Sequence, residues 1–451
     1  MIRKTFFWLH LAAGLVAGLS IGIMCFTGAV LAFEKEIVAW SERDARRVEV
    51  PKHDRVRLSL AELTERVRVA EPDAKPMAIT VAADPRAAVV FSLGRDNAVY
   101  ANPYTGEVRR PASTAVHDFM HVMEDWHRWL ALGDEQRAVG KAINGACNLA
   151  FFFLAVSGLY LWWPRTWSVR GLKAIVLFNW RLAGKARDFN WHNSLGLWTA
   201  PILIVLTLTA LPISYRWAAN AIYRFAGEEP PAQQGPGAPA GPALEVTRPH
   251  PDARPLSHDA LLKVAMRAAP RWESLTLRLS TPQRGGPGGQ QRPAGSGAPA
   301  AVAQLPDAPR EGSAREGAAP AREPGAQRGP REAYAGGREG GERRSPQALA
   351  IVVREPGAWP RTATTTLSFN PFTGDVLRRE THADLSTARQ IRTWTRFLHT
   401  GEALGFWGQL VAGLACLGGC VLVYTGFALS WRRFFPRRKS PPPAAPAAAQ
   451  A

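Results

Sequence analysis

Cysteine is scarce in this sequence, and its few copies stand where they cannot brace an exposed domain. The chain has 451 residues and four cysteines, all within apolar runs: Cys25, Cys147, Cys416 and Cys420. A disulfide framework of the kind that holds small secreted domains together is therefore not predicted. Two catalytic motifs are also missing. The sequence has no H-E-x-x-H zinc-protease motif and no G-x-G-x-x-G dinucleotide-binding turn.

Acidic residues are outnumbered by basic ones, which gives a formal net charge of +18. Such a balance can indicate nucleic-acid binding. Here the Lys and Arg residues mostly flank apolar runs or lie in Pro/Gly-rich sequence, so nucleic acid is not an expected partner. Apolar residues make up 46% of the chain, yet the mean hydropathy is slightly negative. The apolar residues are therefore concentrated in some segments, as in a membrane protein with soluble parts.

Four segments carry about 20 predominantly apolar residues, the length that crosses the hydrocarbon core of a bilayer. Trp residues stand near their ends, as expected at a membrane interface. The first apolar stretch is longer than the roughly 7–15 residues of a signal-peptide core, so we interpret it as a retained helix. The predicted transmembrane segments are residues 8–33, 143–163, 192–215 and 407–431.

The distribution of basic residues predicts the orientation in the membrane. These residues cluster at three places: Arg3 and Lys4, the connection 164–191 and the tail 432–451. By the positive-inside rule these parts, and with them both termini, are cytoplasmic. The long connections 34–142 and 216–406 then lie outside, in the periplasm of a cell with two membranes.

The two long connections carry an internal repeat. Each contains a pattern typical of a short amphipathic helix and then of alternating strands. Each ends in the turn N-P-[YF]-T-G-[ED]-V, at residues 102–108 and 370–376. Two unrelated hairpins that use common turn residues are the alternative, but seven matching positions at equivalent places favour duplication. The repeats are assigned to about residues 58–110 and 255–380, each as an α+β domain.

Two segments of the outer connections are predicted to be disordered. Residues 227–249 and 281–346 are rich in Pro, Gly, Ala, Arg and Glu and contain almost no aromatic residues. Such sequences cannot bury enough apolar surface to offset the loss of chain entropy. The segment 281–346 interrupts the second repeat between its first and second strands, where a surface loop accepts an insertion.

Four of the ten histidines form two matched pairs at the heads of the predicted transmembrane segments. His10 and His192 each stand four residues before Gly-Leu and seventeen before a threonine, so these two are equivalent. His127 and His399 share the pattern H-x-x-x-A-L-G and form the second pair. The first pair belongs to segments that leave the cytoplasm, and the second pair to segments that return from outside.

Two matched pairs of imidazoles are typical of haem ligation. A haem iron held from both axial sides needs two neutral imidazoles from facing helices. The pattern therefore predicts two bis-histidine haems b, His10 with His192 near the cytoplasm and His127 with His399 near the outer face. A histidine can also simply tolerate the interface, with its ring among headgroups and its polar edge in water. Four histidines in two spacing classes favour ligation.

A further pair of histidines leaves the outer site open. His117 and His121 stand four positions apart, so on a helix they share one face. A solvated helix face is the more ordinary interpretation of this pair. Either ring, however, could replace His127 as the outer ligand, and the sequence does not decide which histidine completes that site.

These motifs resemble the family of PepSY-associated transmembrane helix proteins. The resemblance rests on DWHRWLALG, SGLYLWWPRTW, FNWHNSLGLW, FLHTGEALG and the two N-P-x-T-G turns, and it covers the four helices and both outer domains. It implies an α-helical integral membrane protein with four transmembrane helices in a bundle and two α+β PepSY-like extracytoplasmic domains. The chain departs from the pattern in its insertion and at Ala210, where the other three helices have Gly after Ser or Thr.

The family includes inner-membrane ferric-siderophore reductases, and members that bind haem use histidines that correspond to His10, His127, His192 and His399. The resemblance therefore implies electron transfer through two haems that ends in reduction of a ferric siderophore or other ferric chelate for iron acquisition. Its expected partners are that chelate, membrane lipid, and an electron donor that is either a quinol or a cytoplasmic reductase. PepSY domains are also associated with peptidase regulation, so a membrane-anchored binding module without redox activity is the alternative.

Overall fold

The structure is a computed structural model of the chain. It describes residues 1–53, 56–94, 97–164, 167–231, 244, 246–250, 252–279 and 347–436. The segment 281–346, most of residues 227–249 and most of the tail lie outside this described part. The prediction of disorder for 281–346, and for most of 227–249, therefore concerns residues on which the structure gives no information.

The first half of the chain runs from one long helix to another. Its helices are α1 (Ile2–Leu31), α2 (Glu34–Ser41), α3 (Arg43–Arg46), α4 (Leu60–Ala70), α5 (Ala115–Trp129) and α6 (Arg137–Trp162). Four strands lie between α4 and α5: β1 (Ala78–Ala82), β2 (Val89–Ser92), β3 (Ala98–Ala101) and β4 (Val108–Arg109). A 3-10 turn, Asp134–Gln136, leads into α6.

The second half repeats this order after a short connecting helix. Its helices are α7 (Val169–Val176), α8 (Gly184–Ser214), α9 (Arg216–Phe225), α10 (His258–Ala268), α11 (Thr387–His399) and α12 (Phe406–Phe434). Its strands are β5 (Ser274–Arg278), β6 (Leu349–Arg354), β7 (Thr365–Phe369) and β8 (Val376–Glu380). Two 3-10 turns, His382–Asp384 and Glu402–Leu404, flank α11. Apart from the short helices α2 and α3, where the second half has α9 alone, the helices and strands follow the same order in both halves, which extends the repeat to the long helices.

Four helices, α1, α6, α8 and α12, are long and apolar enough to cross a membrane. The first three begin about two turns before the predicted segments, because helical hydrogen bonding continues into polar residues at the interface. α1 packs against α6 and α12, and α8 packs against the same two helices. The two helices that carry His10 and His192 are thus separated by the two that do not.

The eight strands form one antiparallel sheet in the order β4-β3-β2-β1-β5-β6-β7-β8. β1 and β5, the first strands of the two repeats, pair at its centre, from Ala78 opposite Arg278 to Ala82 opposite Ser274. The two repeats are therefore halves of one sheet. Each repeat alone would expose the unpaired edge of its first strand, and the pairing of β1 with β5 satisfies both edges.

A single apolar core lies beneath this sheet. Alternate strand residues point into it, and Ile79, Phe91 and Leu275 are fully buried there. The helices α4 and α10 cover the core side by side. Each helix begins at a serine, Ser59 or Ser257, whose hydroxyl accepts a backbone N–H of the first turn. The two helices, which were predicted from their amphipathic pattern, thus begin in the same way in both repeats.

Candidate functional site

His10 and His192 lie inside α1 and α8, about two turns from the N-terminal ends of these helices. Each ring reaches a neighbouring helix. Nδ1 of His10 is 2.8 Å from the hydroxyl of Ser157 on α6, and Nδ1 of His192 is 2.9 Å from the hydroxyl of Thr425 on α12. Both rings lie on helices that pack against the same two neighbours, α6 and α12. The first predicted pair therefore occupies one region between the four long helices.

His127 and His399 lie directly beside each other. Their ring centres are 6.3 Å apart, and the ring planes are inclined by 50°. His127 is in the last turn of α5, and His399 is the last residue of α11. Both histidines precede the membrane helices α6 and α12 in the chain, but each lies at the end of a separate short helix. A left-handed backbone at Leu130 and at Gly401 ends α5 and α11 before α6 and α12 begin.

The same two kinds of contact hold both of these rings. Each Nδ1 lies beside a backbone carbonyl and a threonine hydroxyl of one long helix. For His127 the partners are Met24 O at 3.1 Å and Thr27 Oγ1 at 3.0 Å on α1. For His399 they are Leu206 O at 2.9 Å and Thr209 Oγ1 at 3.5 Å on α8. The internal repeat thus extends to individual hydrogen bonds.

The hydrogen-bond partners assign the ring tautomers. A backbone carbonyl only accepts, so Nδ1 of His127 and of His399 carries the proton. The hydroxyls of Thr27, Thr209 and Thr425 each donate to the carbonyl four residues earlier, at 2.7–2.8 Å. A lone pair of each hydroxyl is then what faces the imidazole. A neutral ring with its proton on Nδ1 presents the lone pair of Nε2 to a metal.

Nε2 is the free nitrogen of these rings. Within the described residues, Nε2 of none of the four histidines has a hydrogen-bond partner. Desolvation, with His399 alongside, lowers the pKa of His127 to about 4, and desolvation also lowers the pKa of His399. Both rings are therefore uncharged at neutral pH, which is the state that a metal ion binds.

Small residues make room for the rings. Each hydroxyl residue that contacts a histidine is followed by glycine, except that Ala210 follows Thr209. A Cβ added at Gly28, Gly158 or Gly426 would lie 3.1, 3.4 or 3.7 Å from Cε1 of His127, His10 or His192, respectively. In the sequence these Ser/Thr-Gly pairs serve only as landmarks for the spacing of the histidines. Their role as partners of the rings was missed.

The two sites are stacked along α1 and α8. The interval from His10 to Met24 on α1 is fourteen residues, and so is the interval from His192 to Leu206 on α8. Fourteen residues of α-helix span about 21 Å. Each of these helices therefore contributes to both sites and sets the separation between them.

A buried carboxylate supports the helix that carries His192. Asp188 is fully buried one turn before it. Its Oδ1 accepts a hydrogen bond from Arg187 at 2.8 Å, and its Oδ2 lies 2.5 Å from Nη1 of Arg432 on α12. The second contact is an ion pair without hydrogen-bond alignment. Asp188, which the sequence analysis did not identify, joins the beginning of α8 to the end of α12.

The other histidines of α5 have different surroundings. Nε2 of His117 is 2.8 Å from the buried carboxylate of Glu42, which also accepts hydrogen bonds from Arg46 and Tyr100. His121, one turn further along the helix, is exposed. The histidine whose ring lies beside His399 is His127.

Comparison with known proteins identifies the family. The model of the PepSY-associated TM region matches residues 7–433. The chain belongs to this family. The match spans both halves of this PepSY-associated protein, including its four long helices, the strands of its sheet and all four histidines. No curated protein matches the sequence.

Proposed function

We propose that this PepSY-associated protein carries electrons across a bacterial inner membrane through two b-type haems and reduces a ferric siderophore, or another ferric chelate, outside. The observation that carries the proposal is the ring pair of His127 and His399. Two imidazoles on opposite sides of one metal ion, each with its nitrogen about 2.0–2.1 Å away, have ring centres roughly 6 Å apart. The observed 6.3 Å fits this requirement.

The hydrogen bonds of the rings support a ligand role. A metal-bound histidine almost always donates its other N–H to an acceptor, which orients the ring and raises its basicity. All four rings have at Nδ1 a hydroxyl or carbonyl oxygen that can act as this acceptor. His10 with His192, and His127 with His399, would each hold one haem within a four-helix bundle. When bound, each haem supplies one-electron chemistry by alternation between ferric and ferrous iron.

The protein chain orders the two sites across the membrane. Basic residues flank the ends of the long helices near the His10–His192 site, and the positive-inside rule assigns that end to the cytoplasm. The His127–His399 site then lies towards the outer face, below the sheet. Because α1 and α8 carry parts of both sites, they hold the sites about 21 Å apart along the helix axis. This separation supports passage of electrons from one face to the other.

Reduction explains how iron would be released outside. Ferric iron is a hard ion that prefers oxygen ligands, whereas ferrous iron is softer. Transfer of one electron to a ferric chelate yields the ferrous chelate, which oxygen donors hold less tightly. The sequence has no G-x-G-x-x-G turn for a nicotinamide or flavin dinucleotide. The electron donor is therefore a separate molecule, a quinol or a cytoplasmic reductase.

Absorption spectroscopy of the purified protein tests the proposal. We expect a dithionite-reduced b-type spectrum and two haems per chain. Replacement of His127 or His399 by Ala should lower the haem content towards one per chain and stop reduction of an external ferric chelate in proteoliposomes. His10→Ala or His192→Ala should also remove one haem and instead block electron entry from the cytoplasmic side.

The exposed histidine of α5 provides the matched control. His121→Ala should leave both the spectrum and the haem content unchanged, since His121 lies outside the ring pair. A purified wild-type protein without haem would overturn the proposal. In that case the membrane-anchored binding module would become the better account of the sheet and its four helices.

A further inference from the structure

The two histidine pairs depend on different hydrogen-bond acceptors. Nδ1 of His10 is held by the hydroxyl of Ser157, and Nδ1 of His192 by the hydroxyl of Thr425, with the carbonyl of Leu422 nearby. The rings of the other pair donate to backbone carbonyls as well as to hydroxyls. A substitution can remove a hydroxyl but not a backbone carbonyl. Of the four rings, His10 alone has only a hydroxyl beside Nδ1 among the described residues, so a side-chain substitution can remove its partner completely.

We propose that Ser157 and Thr425 are the positioning residues of the His10–His192 site and tune the reduction potential of the haem held there. This inference rests on the proposed function. An acceptor at Nδ1 makes the ring a stronger donor to iron and so favours the ferric state. Without that acceptor the reduction potential of the site rises. Loss of such a partner typically weakens metal affinity by about 10–100-fold.

The hydrogen-bond partners of the rings predict how strongly each substitution should change the reduction potential. Ser157→Ala removes the only hydrogen-bond partner of His10 in the described part of the chain, so its effect should be the largest. Thr425→Val preserves the shape of the side chain and leaves the Leu422 carbonyl near His192, so its effect should be smaller. Thr27→Val should have little effect, because His127 retains a carbonyl acceptor.

A control variant separates the contact of threonine with a histidine from the general role of threonine in membrane helices. The hydroxyl of Thr199 donates to the carbonyl of Leu195 at 2.8 Å, as the hydroxyl of Thr425 does to Val421. Thr199 is buried like Thr425, but in the described structure it makes no hydrogen bond to a histidine. Thr199→Val is therefore a matched control that loses the bond within its helix and no bond to a ligand.

A redox titration of the purified, haem-loaded protein, followed by absorption and by the low-spin signals in electron paramagnetic resonance, tests the inference. We expect two midpoint potentials. Ser157→Ala and Thr425→Val should raise one of them and leave the other unchanged, with weaker haem retention at the same site. Thr425→Ser should restore the wild-type value, and Thr199→Val should not move either potential.

The outcomes distinguish this inference from the proposed function. A wild-type protein without haem would overturn both. A wild-type protein with two haems, whose potentials and haem retention stay the same in Ser157→Ala and Thr425→Val, would overturn the inference alone. An equal shift of a midpoint potential with Thr27→Val would also overturn the inference. It would show that the Met24 carbonyl does not hold His127 in place when the Thr27 hydroxyl is lost. If Ser157→Ala expresses poorly, the midpoint potentials of the nearly isosteric variant Thr425→Val test the inference.

Discussion

The carboxylate of Asp259, on α10 of the second repeat, accepts the backbone N–H of Leu60 at 2.7 Å, at the start of α4 in the first repeat. One repeat thus caps a helix of the other. Ser59 and Glu62 form the capping box of α4 itself, so Asp259 adds a cap from outside the helix. With the pairing of β1 and β5, this contact makes the two halves of the sheet mutually dependent.

Asp259→Ala should therefore destabilise the sheet domain through the opposite repeat. A lost N-terminal cap costs about 0.5–2 kcal/mol. We expect faster amide hydrogen exchange in the first turn of α4 and a lower unfolding midpoint in detergent. Unchanged exchange in α4 of the Asp259→Ala protein would contradict the coupling of the repeats.

The helices and repeats could be predicted because their signals are local. Apolar runs of membrane length, serines at helix starts and the N-P-x-T-G turns each lie within a few residues of the structure they specify. The central pairing of β1 with β5 could not be predicted in this way. The match of Ile79 with Leu277 depends on which edges meet in space, and either strand alone is simply a strand with alternating apolar residues.

The candidate site, too, could be predicted from the sequence only where its signals are local or repeated. Spacing alone paired His127 with His399, because the internal repeat places equivalent residues at equivalent depths. The partners of the rings lie far away in sequence: 147 positions separate His10 from Ser157. Their contact requires knowledge of which helices pack together. The ends of α5 and α11 were also missed, since left-handed Leu130 carries no signal of the kind that glycine gives.

Glu42 provides a prediction about pH. Burial alone would raise the pKa of its carboxyl, but hydrogen bonds from His117, Arg46 and Tyr100 lower that pKa below its ordinary value of 4.5. The ionised carboxylate therefore stabilises the fold fully above the ordinary value. This contribution is lost as the pH falls through the lowered pKa. The wild-type protein should thus lose more unfolding free energy than a Glu42→Gln variant as the pH is lowered from about 5 through the lowered pKa of Glu42.

Two substitutions separate the charge of Glu42 from its hydrogen bonds. Glu42→Gln leaves Arg46 and His117 beside a neutral amide, and because the Arg46 side chain is 41% exposed, the loss should be about 1–3 kcal/mol at neutral pH. Tyr100→Phe removes one hydrogen bond to the carboxylate and should cost about 1 kcal/mol, with the pH dependence largely retained. Denaturant titrations at several pH values measure both. A Glu42→Gln protein with the wild-type pH dependence would contradict the assignment.

The glycines beside the histidine rings predict a graded series. A methyl at Gly28 would lie 3.1 Å from His127, which forces the ring to move, whereas a methyl at Gly426 would make an ordinary contact with His192 at 3.7 Å. Overpacking of this kind costs about 1–3 kcal/mol. Gly28→Ala should therefore lower the unfolding midpoint and the haem content, and Gly426→Ala should be nearly neutral. Equal effects in the two variants would exclude contact with the ring as the cause.

The end of α5 is held in an unusual backbone conformation. Leu130 and Ala131 have φ values of 54° and 56°, which side chains other than glycine rarely adopt. The cause is the close approach of α5 to α6. A Cβ at Gly140 would lie 2.1 Å from the Trp129 carbonyl, and the amide of Asn144 donates to the His127 carbonyl at 2.8 Å. These contacts fix the position of His127 and require the sharp turn that follows it.

Ala131→Gly should therefore stabilise the protein, because glycine adopts a left-handed backbone without the roughly 1–2 kcal/mol that other residues lose. Glycine also gains freedom in the unfolded chain, so the net gain should be below about 1 kcal/mol. Ala142→Gly, at an exposed position inside α6, is the control with the opposite sign and should cost about 1 kcal/mol. Unfolding midpoints of both variants in detergent measure the difference. If Ala131→Gly destabilises as much as Ala142→Gly, the turn after His127 does not have left-handed geometry, and another contact must hold that ring beside His399.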